Sequence, residues 1–265
     1  MRIMLVLQYD GTNFCGWQVQ PGLRTVQGEL ENAVFSLTGE KVSVIASGRT
    51  DSGVHARGQV AHFDAHSTVP PENFCRALNV FLPPDVKVIE SRLAPDNFHA
   101  RFSAKKKTYI YRFYKSSIEL PLYSRYACRI DEKVDENAMN LAAQTLIGTH
   151  DFKCFMSSGS EVKNTVRTIY ECRVYKNGEL LELEVCGNGF LYNMVRAIAG
   201  TLYSVGLGKS TVQSVKETLE SKNRFFAGKT MPPQGLTLEE VFYLPEKISE
   251  ETTDKKCPKV PLAGL

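Results

Sequence analysis

A short polar loop carries the residues of this sequence that are best suited to chemistry. Between Gly48 and Gly53 lie an arginine, Arg49, and a carboxylate, Asp51. A carboxylate beside a guanidinium, between glycines that let a backbone or a ligand come close, is what a charged reaction centre needs. The alternative is a solvated turn, because Asp, Ser and Gly are the commonest turn formers. The residue types alone leave both interpretations open.

The elements on either side of this loop must position its side chains. Apolar runs at Val42–Ala46 and Val60–Phe63 flank the loop and predict a strand, an irregular loop and a second strand. Arg49 and Asp51 are two positions apart, so in an extended segment their side chains face the same side. The guanidinium is then placed to pair with the carboxylate or to hold a phosphate.

Another group of candidates follows three lysines, Lys105–Lys107, in the run Thr-Tyr-Ile-Tyr-Arg. If this run is a strand, Tyr109 and Tyr111 face one way and the residues between them face the other. A tyrosine can stack on a splayed base or carry a proton, although packing in the core is the usual alternative. The lysines could meet phosphates, but three adjacent lysines at a strand end are usually solubilising.

Arg196 presents a conflict. A helix is predicted over Phe190–Val205, and its apolar residues leave Arg196 on nearly the opposite side. The periodicity therefore indicates a solvated arginine. Ala199 and Gly200, further along the helix, would let another segment approach.

The composition bounds the class of protein. The chain has 265 residues, 43% of them apolar, which suffices for one large domain or two smaller ones. It has 32 basic and 29 acidic side chains, and the net charge of +3 permits nucleic-acid binding without requiring it. Seven cysteines without a CxxC pair indicate neither a disulfide framework nor a zinc site, and they suit a reducing compartment.

No targeting or membrane segment is predicted. The N-terminal apolar run is too short and too quickly acidic for a signal peptide. No apolar run approaches the roughly 18 residues that a membrane span needs. We therefore expect a soluble, cytoplasmic protein that does not bind a membrane.

The hydrophobic patterns predict the same order of elements twice: strand, helix, strand, strand, helix, strand. The clearest local pattern is a hairpin across Asn177-Gly178, where two alternating runs meet. Strands are predicted at Arg2–Tyr9, Val42–Ala46, Gln59–Asp64, Asp85–Leu93, Thr108–Tyr114, Val166–Tyr175, Leu180–Val185 and Leu236–Tyr243. Helices are predicted between Thr25 and Gly39, between Pro70 and Pro83, and at Val134–Ile147, Phe190–Val205 and Ser210–Glu220.

Two successive β-α-β-β-α-β units predict an α+β fold of two ferredoxin-like halves, whose largely antiparallel mixed sheets meet at a central cleft. The N-terminal half, 1–103, would carry the loop with Asp51, and the C-terminal half, 104–245, would complete the site. The remaining segment, 246–265, is charged, proline-bearing and aperiodic, so we expect it to be disordered or loosely docked.

Five segments of the sequence resemble one enzyme family. GRTDSGVHA, around Asp51, resembles the signature of the TruA-type tRNA pseudouridine synthases. Four further segments agree with that family in order: YDGTNFCGWQ, FHARFSAKKKTYIYR, GFLYNMVR and AGKTMPPQGLTL. Together they extend from near the start of the chain to about Leu244.

The resemblance implies an isomerase that detaches the base of uridine from its sugar and rejoins it through carbon instead of nitrogen. It implies Asp51 as the catalytic nucleophile, and Tyr109 and Arg196 as further active-site residues, with Arg196 pairing with the aspartate. Arg49 is interpreted as RNA-binding and Tyr109 as a residue that also contacts the substrate. Whether Asp51 attacks the base or the sugar stays open.

The same resemblance implies the partners. The substrate would be tRNA, at uridines 38, 39 and 40 of the anticodon stem-loop. A homodimer is implied, across which one tRNA can lie. No metal and no cofactor are expected.

Other classes of function fit the sequence less well. Asp51-Ser52-Gly53 resembles the motif of aspartic proteases, which need a second such carboxylate that this chain lacks. Gly187-Asn188-Gly189 lacks the third glycine of a dinucleotide fingerprint. His55 and His62 have no third ligand spaced to join them, and His55 is interpreted as fixing the loop. The strongest alternative is a non-catalytic RNA-binding module, which would use the same basic and aromatic residues.

Overall fold

One ten-stranded sheet runs through the residues that the computed structural model describes, 1–159 and 162–244. Its strands are β1 (Arg2–Tyr9), β2 (Ile45–Ala46), β3 (His55–Asp64), β4 (Val86–Ala94), β5 (Lys106–Lys115), β6 (Cys128–Ile130), β7 (Gly148–Asp151), β8 (Val166–Asn177), β9 (Leu180–Gly187) and β10 (Leu236–Phe242). The α-helices of the same residues are α1 (Val26–Thr38), α2 (Phe74–Phe81), α3 (Pro121–Ser124), α4 (Glu136–Gln144), α5 (Met194–Gly206) and α6 (Val212–Ser221).

The strands follow the order β4-β1-β3-β10-β5-β9-β8-β7, while β2 pairs with β3 and β6 pairs with β5. The β10–β3 and β5–β6 pairs are parallel, and the other pairs are antiparallel. The prediction of an α+β protein with a large, mostly antiparallel sheet is therefore confirmed.

Local sequence signals explain the first helix. The Thr25 side chain accepts a hydrogen bond from the Gly28 N–H and caps the start of α1. Gly39 ends the helix in the left-handed conformation, with φ of 75°. Apolar residues at helical spacing, among them Val26, Leu30 and Val34, face the core. Both predicted ends of this helix are confirmed.

The hairpin of the second half also follows its sequence. β8 and β9 pair antiparallel and turn at Gly178, which has a φ of 58°. Leu181, Leu183 and Val185 alternate along β9 and are all buried. The hairpin packs its apolar face against α4 and places β9 beside β5.

β10 joins the two halves. Thr237 and Leu238 lie opposite His55 and Ala56 of β3, while the same strand runs antiparallel to β5, with Leu236 opposite Tyr111. The last strand of the chain thus lies between the strand that follows the Asp51 loop and the strand that carries the two tyrosines. This arrangement brings Asp51 and Tyr109 to one region of the sheet.

Two predicted elements are shorter in the structure. Of the strand predicted over Val42–Ala46, only Ile45–Ala46 pairs with β3, because the Val44 N–H donates instead to the Glu31 side chain, 3.0 Å away. The helix predicted over Val134–Ile147 begins at Glu136, because Asp135 caps it by accepting from Ala138.

The start of α5 differs in a way that matters for the site. The helix begins at Met194 instead of Phe190, because Asn193 adopts a left-handed conformation with φ of 60° that a helix cannot contain. Phe190 and Leu191 therefore lie in a loop before the helix. Three short elements, α3, β6 and β7, are absent from the prediction.

Two further expectations concern the ends of the fold. The boundary expected between 103 and 104 falls in the segment between β4 and β5. The tail expected over 246–265 lies outside the described residues. Among the helices that the structure describes, none is both long and apolar enough to cross a membrane.

Candidate active site

The loop that carries Asp51 is held in place by hydrogen bonds to the segment that follows β1. The Trp17 N–H donates to the Thr50 carbonyl over 3.0 Å, and the Ser52 hydroxyl donates to the Phe14 carbonyl over 3.1 Å. Gly16 makes this approach possible, because a Cβ there would lie 2.7 Å from the Thr50 oxygen. Its φ of 83° also favours glycine. Asp51 therefore projects from a backbone held on both sides.

A buried polar network holds the other end of the loop. The Gln59 amide donates to the Gly48 carbonyl over 2.9 Å and accepts from the Ser47 hydroxyl over 2.7 Å. The Tyr9 hydroxyl lies 2.8 Å from the Thr50 hydroxyl. Gln59 and Ser47 are both fully buried. Because buried polar groups with satisfied partners resist rearrangement, this network fixes the direction of the loop.

Sequence reasoning missed the residues of this network. Tyr9 opens the segment YDGTNFCGWQ, where the sequence predicts only the end of a strand. Gln59 reads as an ordinary strand residue. A polar side chain in an otherwise apolar run, Gln59-Val60-Ala61, is the signal that could have identified it, since such a residue needs a buried partner.

Asp51, in the loop before β3, and Arg196, on α5, come together although they are far apart in the sequence. The nearest oxygen of the carboxylate lies 3.6 Å from Nη1 of the guanidinium, and the two side chains are 29% and 15% exposed. Burial raises the pKa of Asp51, and the Arg196 charge and hydrogen bond oppose that rise. The carboxylate is thus partly removed from water without being enclosed.

Arg196 is fixed by partners other than Asp51. Its Nε donates to the Met231 carbonyl over 2.7 Å, and its Nη1 donates to Asn193 Oδ1 over 2.6 Å. The Met231 N–H in turn donates to the Arg196 carbonyl over 3.1 Å. The left-handed conformation of Asn193 therefore has a use, because it places an acceptor beside the guanidinium.

The periodicity gave the wrong environment for Arg196. The arginine is covered by the segment before β10, a neighbour that no helical pattern can reveal. The expectation that Gly200 would let another segment approach is confirmed, because a Cβ at Gly200 would lie 1.8 Å from the Lys229 carbonyl. The Gly228 N–H also donates to the Thr201 hydroxyl over 2.8 Å.

Tyr109 lies on the same side of β5 as the Asp51 loop. Its side chain is 8% exposed, and the Phe190 ring meets it edge-on with 5.1 Å between centroids. Burial raises the pKa of Tyr109 well above its usual value, and the nearby Tyr9 and Asp51 add to the rise. Among the residues that the structure describes, the Tyr109 hydroxyl has no hydrogen-bond partner.

Tyr111, two residues further along β5, has a different environment. It is fully buried, and its hydroxyl donates to the Pro232 carbonyl over 2.7 Å. It thereby holds the segment that also contacts Arg196. These contacts give Tyr111 a structural role.

Arg49 does not pair with Asp51. It is exposed, and no carboxylate of the described chain lies within 4.0 Å of its guanidinium. Pairing with Asp51, one of the two interactions that the sequence left open, is therefore not observed, and phosphate binding stays a prediction. The exposed Arg57, by contrast, pairs with Glu239 over 3.2 Å.

His55 has the neighbours of a structural residue. Its Nδ1 accepts from the Gly11 N–H over 3.0 Å, so Nε2 carries the proton and donates to the Gln234 carbonyl over 3.2 Å. Burial lowers the pKa of this imidazole. His55 thus fixes the loop to two other segments, as interpreted from the sequence. In residues 1–159 and 162–244, no group of three or more His, Cys, Asp or Glu side chains is placed to hold a metal ion.

This arrangement can act on a flat, uncharged ring. Asp51 supplies an oxygen that is partly desolvated, and Arg196 stabilises its negative charge. Tyr109 and Phe190 supply aromatic surface beside it. Arg49 offers a cation at the surface of the same loop. A carboxylate so placed suits nucleophilic or base chemistry on a ligand that carries both an aromatic ring and an anionic group.

Comparisons with known proteins agree on one family. A family model described as tRNA pseudouridine synthase matches residues 5–103 and 142–244. The tRNA pseudouridine synthase A of Anoxybacillus flavithermus is 51% identical over 243 residues, which are 91% of this chain and 98% of that protein. The protein of the same name from Bacillus pumilus is 47% identical over 245 residues, 92% of this chain and 99% of that protein.

A likeness to a solved structure is weaker. The crystal structure of a Cbf5-Nop10-Gar1 complex is similar with a TM-score of 0.35 and 11% identity, over 89% of this chain and 58% of that chain.

Proposed function

The chain belongs to the tRNA pseudouridine synthase family and is therefore an isomerase, and we propose that it converts uridines 38, 39 and 40 of the tRNA anticodon stem-loop to pseudouridine. We further propose that Asp51 is the nucleophile. One observation carries the assignment of Asp51. Its carboxylate is partly desolvated, 3.6 Å from a guanidinium, on a loop fixed from both sides. A passive turn needs none of these features.

The reaction exchanges one bond to the sugar for another. The bond between N1 and C1′ breaks, uracil turns while it is held, and a bond forms between C5 and C1′. Carbon 5 loses a proton and nitrogen 1 gains one, so the step balances without an oxidant or a reductant. A carboxylate serves because it can bond to the nucleoside and later leave. We assign that temporary bond to Asp51, whether it forms at the sugar or at the base.

Arg196 maintains the reactive form of Asp51. Burial alone would favour the protonated carboxyl, which is a poor nucleophile, and the guanidinium opposes this by lowering the pKa of Asp51. Because Met231 and Asn193 hold Arg196 in place, its charge needs no reorganisation when substrate arrives. We therefore assign Arg196 to the active site.

Tyr109 is proposed to contact the target base. Its ring lies beside Phe190, and a flipped uracil could stack on this surface. The hydroxyl is protonated at neutral pH, because burial raises a pKa that already lies well above 7, so the hydroxyl can donate to uracil. Its lack of a protein partner in the described chain supports this role.

The substrate is proposed to be tRNA, held in part by Arg49. A base inside a stem must leave the stack before it can enter the site, at a cost of roughly a few kcal/mol. Stacking on Tyr109 and contacts between cations and phosphates would offset that cost. The exposed, unpaired position of Arg49 supports a phosphate contact.

Two coarser features complete the proposal. We propose that each half of the chain is a ferredoxin-like unit, which the strand orders β4-β1-β3-β2 and β10-β5-β9-β8 support. We also propose a homodimer across which one tRNA lies, a state that rests on the resemblance of the sequence to its family.

The decisive experiment replaces Asp51 with asparagine, which keeps the size of the side chain but removes its negative oxygen. With tRNA labelled by tritium at carbon 5 of uridine, Asp51→Asn should release label at least about 10³-fold more slowly than the wild type. Binding of tRNA should survive. Asp64→Asn, which changes an exposed carboxylate at the end of β3, is the matched control and should release label normally.

A folded Asp51→Asn protein that releases label at a rate near the wild type would overturn the assignment. Release of no label by the wild type would favour the non-catalytic RNA-binding module. Mapping pseudouridine in tRNA from cells that lack the protein tests the positions, and we expect loss at 38, 39 and 40.

A further inference from the structure

Lys107 has an unusual environment for a lysine. It lies on β5, partly buried, and its Nζ donates a hydrogen bond to the Ser47 carbonyl at the start of the Asp51 loop. The amine also lies close beneath Gly48, where a Cβ would be 3.0 Å from Nζ. A lysine at the end of a strand normally extends into water, so this one is held inward by its neighbours.

No acidic side chain balances this charge. Among the residues described, no carboxylate lies within 4.0 Å of Nζ, and the charged group that acts on it is a second cation, Arg101. Arg101 is exposed and likewise has no carboxylate partner in the described chain. Buried lysines are rare unless they are paired, because removing an ammonium from water is costly. A partly buried ammonium without a carboxylate partner, with a second unpaired cation acting on it from the surface, indicates an anionic ligand.

The position of Lys107 identifies the anion. Lys107 and Tyr109 are two residues apart on β5, so their side chains leave the strand on the same face. Tyr109 faces the carboxylate at which the target base is proposed to react, while Lys107 lies under the first residues of the same loop. A nucleotide held at Asp51 and Tyr109 has one anionic group close by, the phosphodiester of the RNA backbone.

We propose that Lys107, together with Arg101, forms a phosphate subsite that holds the RNA backbone beside the target uridine. The inference depends on the proposed function and adds a substrate-binding position to it. An ammonium suits this role because it is a compact point charge with three donors, of which the Ser47 carbonyl takes one. The bond to Ser47 ties the subsite to the loop that carries Asp51, so phosphate binding and positioning of the nucleophile are linked.

The competing explanation is that Lys107 only anchors the loop through Ser47. The two explanations differ in what they predict for binding. A phosphate contact contributes to the salt dependence of tRNA affinity, because each neutralised phosphate releases counterions. An anchor contributes to stability and turnover but leaves the salt dependence unchanged.

The pKa of Lys107 gives a second way to separate them. Burial and the nearby Arg101 lower this pKa to about 8. Above that pH the free amine loses its proton, so a phosphate can bind only after the proton is taken up again. Arginine stays protonated throughout this range. On the two neighbouring strands, Gly187 and Val241 lie opposite Lys107. Neither residue is charged or titratable, so these positions add little to the shift of the Lys107 pKa.

The experiment measures the affinity for unmodified tRNA of the wild type, Lys107→Met, Lys107→Arg and a matched control, Lys106→Met. Lys106 is the next residue, is exposed, and lies over the Phe242 ring on the opposite face. Lys107→Met should weaken binding about tenfold near 0.1 M salt and reduce the logarithmic salt slope by about 0.7–0.9. Lys106→Met should retain the wild-type affinity and slope.

The pH series uses the wild type and Lys107→Arg. From pH 7 to pH 9 wild-type affinity should fall roughly fivefold, whereas Lys107→Arg should show no such fall. This arm decides the matter even if Lys107→Met fails to fold. An unchanged salt slope in a folded Lys107→Met, an equal loss in Lys106→Met, or identical pH profiles for the wild type and Lys107→Arg would each overturn the subsite.

The assay also separates this inference from the proposed function. Wild-type release of tritium from carbon 5 is measured first, on the same tRNA. If the wild type releases label and Lys107→Met keeps its salt slope, the subsite alone is wrong. If the wild type releases none, the proposed function fails whatever Lys107 does.

Discussion

Each face of β5 carries a cation that is at least partly buried, but only one of these cations has carboxylate partners in the described chain. On one face, Arg112 is 8% exposed and is surrounded by acceptors from neighbouring strands: Glu182 at 2.9 Å, Glu239 at 3.3 Å and the Thr237 hydroxyl at 3.1 Å. On the other face, Lys107 has only the Ser47 carbonyl in the described chain. The same strand thus carries one cation that the fold neutralises and one that it does not.

The difference shows which charges serve the fold and which are available to a ligand. Arg112 connects β10, β5 and β9, so its ion pairs hold together the strands at the join between the two halves. The charge of Arg112 therefore needs no ligand to balance it. Lys107 and Arg49 lie at the Asp51 loop, and neither they nor Arg101, whose charge acts on Lys107, have carboxylate partners in the described residues. Unbalanced positive charge concentrates where a polyanion would bind.

The largest effect should come from removing Arg112, the cation that has carboxylate partners. Arg112→Met leaves Glu182, which is 3% exposed, without its cation. Removing one partner of a buried ion pair typically lowers the free energy of unfolding by about 3–5 kcal/mol. Urea denaturation measures this loss. Adding Glu182→Leu should recover much of it, because the second change removes the stranded charge.

The control for this prediction lies on β8, two strands away from β5. Arg173 pairs with Glu184 over 2.7 Å but is 50% exposed, so Arg173→Met should cost less than about 1 kcal/mol. If Arg112→Met destabilises the protein no more than Arg173→Met does, the buried pair does not hold the join. Arg112 would then not be a cation whose ion pairs stabilise the fold.

A smaller effect, on turnover, separates the two tyrosines of the other face. Tyr109→Phe keeps a ring for stacking but removes the hydroxyl, so tRNA should bind normally while label release falls about 10²-fold. Tyr109→Leu should weaken binding as well, because it removes the ring. Tyr111→Phe is the matched control and should lose only the bond to Pro232, about 1 kcal/mol of stability, with turnover near normal. Near-normal turnover of Tyr109→Phe would leave that residue a stacking role alone.

The predictable parts of the fold are those decided by nearby residues. The caps of α1, the turn at Gly178 and the alternation along β9 depend on residues within a few positions of one another, and all are confirmed. The failures depend on distant partners. A glutamate on α1, Glu31, takes the Val44 N–H and shortens β2, which no pattern within Val42–Ala46 reveals.

The candidate site likewise has residues that the local sequence predicts and residues whose environment depends on distant partners. The motif around Asp51 predicted the carboxylate, and the resemblance supplied Arg196, against the helical pattern. The environment of Arg196 depends on Met231, which is far away in sequence and covers one side of α5. The network of Tyr9, Gln59 and Ser47 likewise joins β1, β3 and the loop, so only the assembled sheet makes it visible. Charge balance, which distinguishes Lys107 from Arg112, is a property of the fold as well.

The smallest predicted effect compares Asp51, in the loop before β3, with Asp64, the last residue of β3, through the pH dependence of stability. Burial raises the pKa of Asp51 in the folded protein, so the folded state binds its proton more tightly than the unfolded state does. The ionised Asp51 therefore destabilises the fold at neutral pH, and the penalty disappears as the pH falls through its folded pKa. Asp64 is opposite, because its hydrogen bonds to Arg2 lower its pKa. Its contribution is present above the unfolded pKa of about 3.9 and is lost as the pH falls through the folded value.

Asparagine at each position removes the ionisation, so the two variants should change stability with opposite signs. At pH 7, Asp51→Asn should be slightly more stable than the wild type, since it removes a partly buried charge. Asp64→Asn should be less stable by about 0.5 kcal/mol, the usual magnitude for an exposed ion pair, because Asp64 is 61% exposed. The Asp51 difference should vanish once the pH is below the unfolded pKa of about 3.9, whereas the Asp64 difference should persist to lower pH, because its folded pKa is lowered. Urea denaturation from pH 3 to pH 7 measures them, and a loss of stability at pH 7 in both variants would show that the Asp51 charge supports the fold instead of being held there for catalysis.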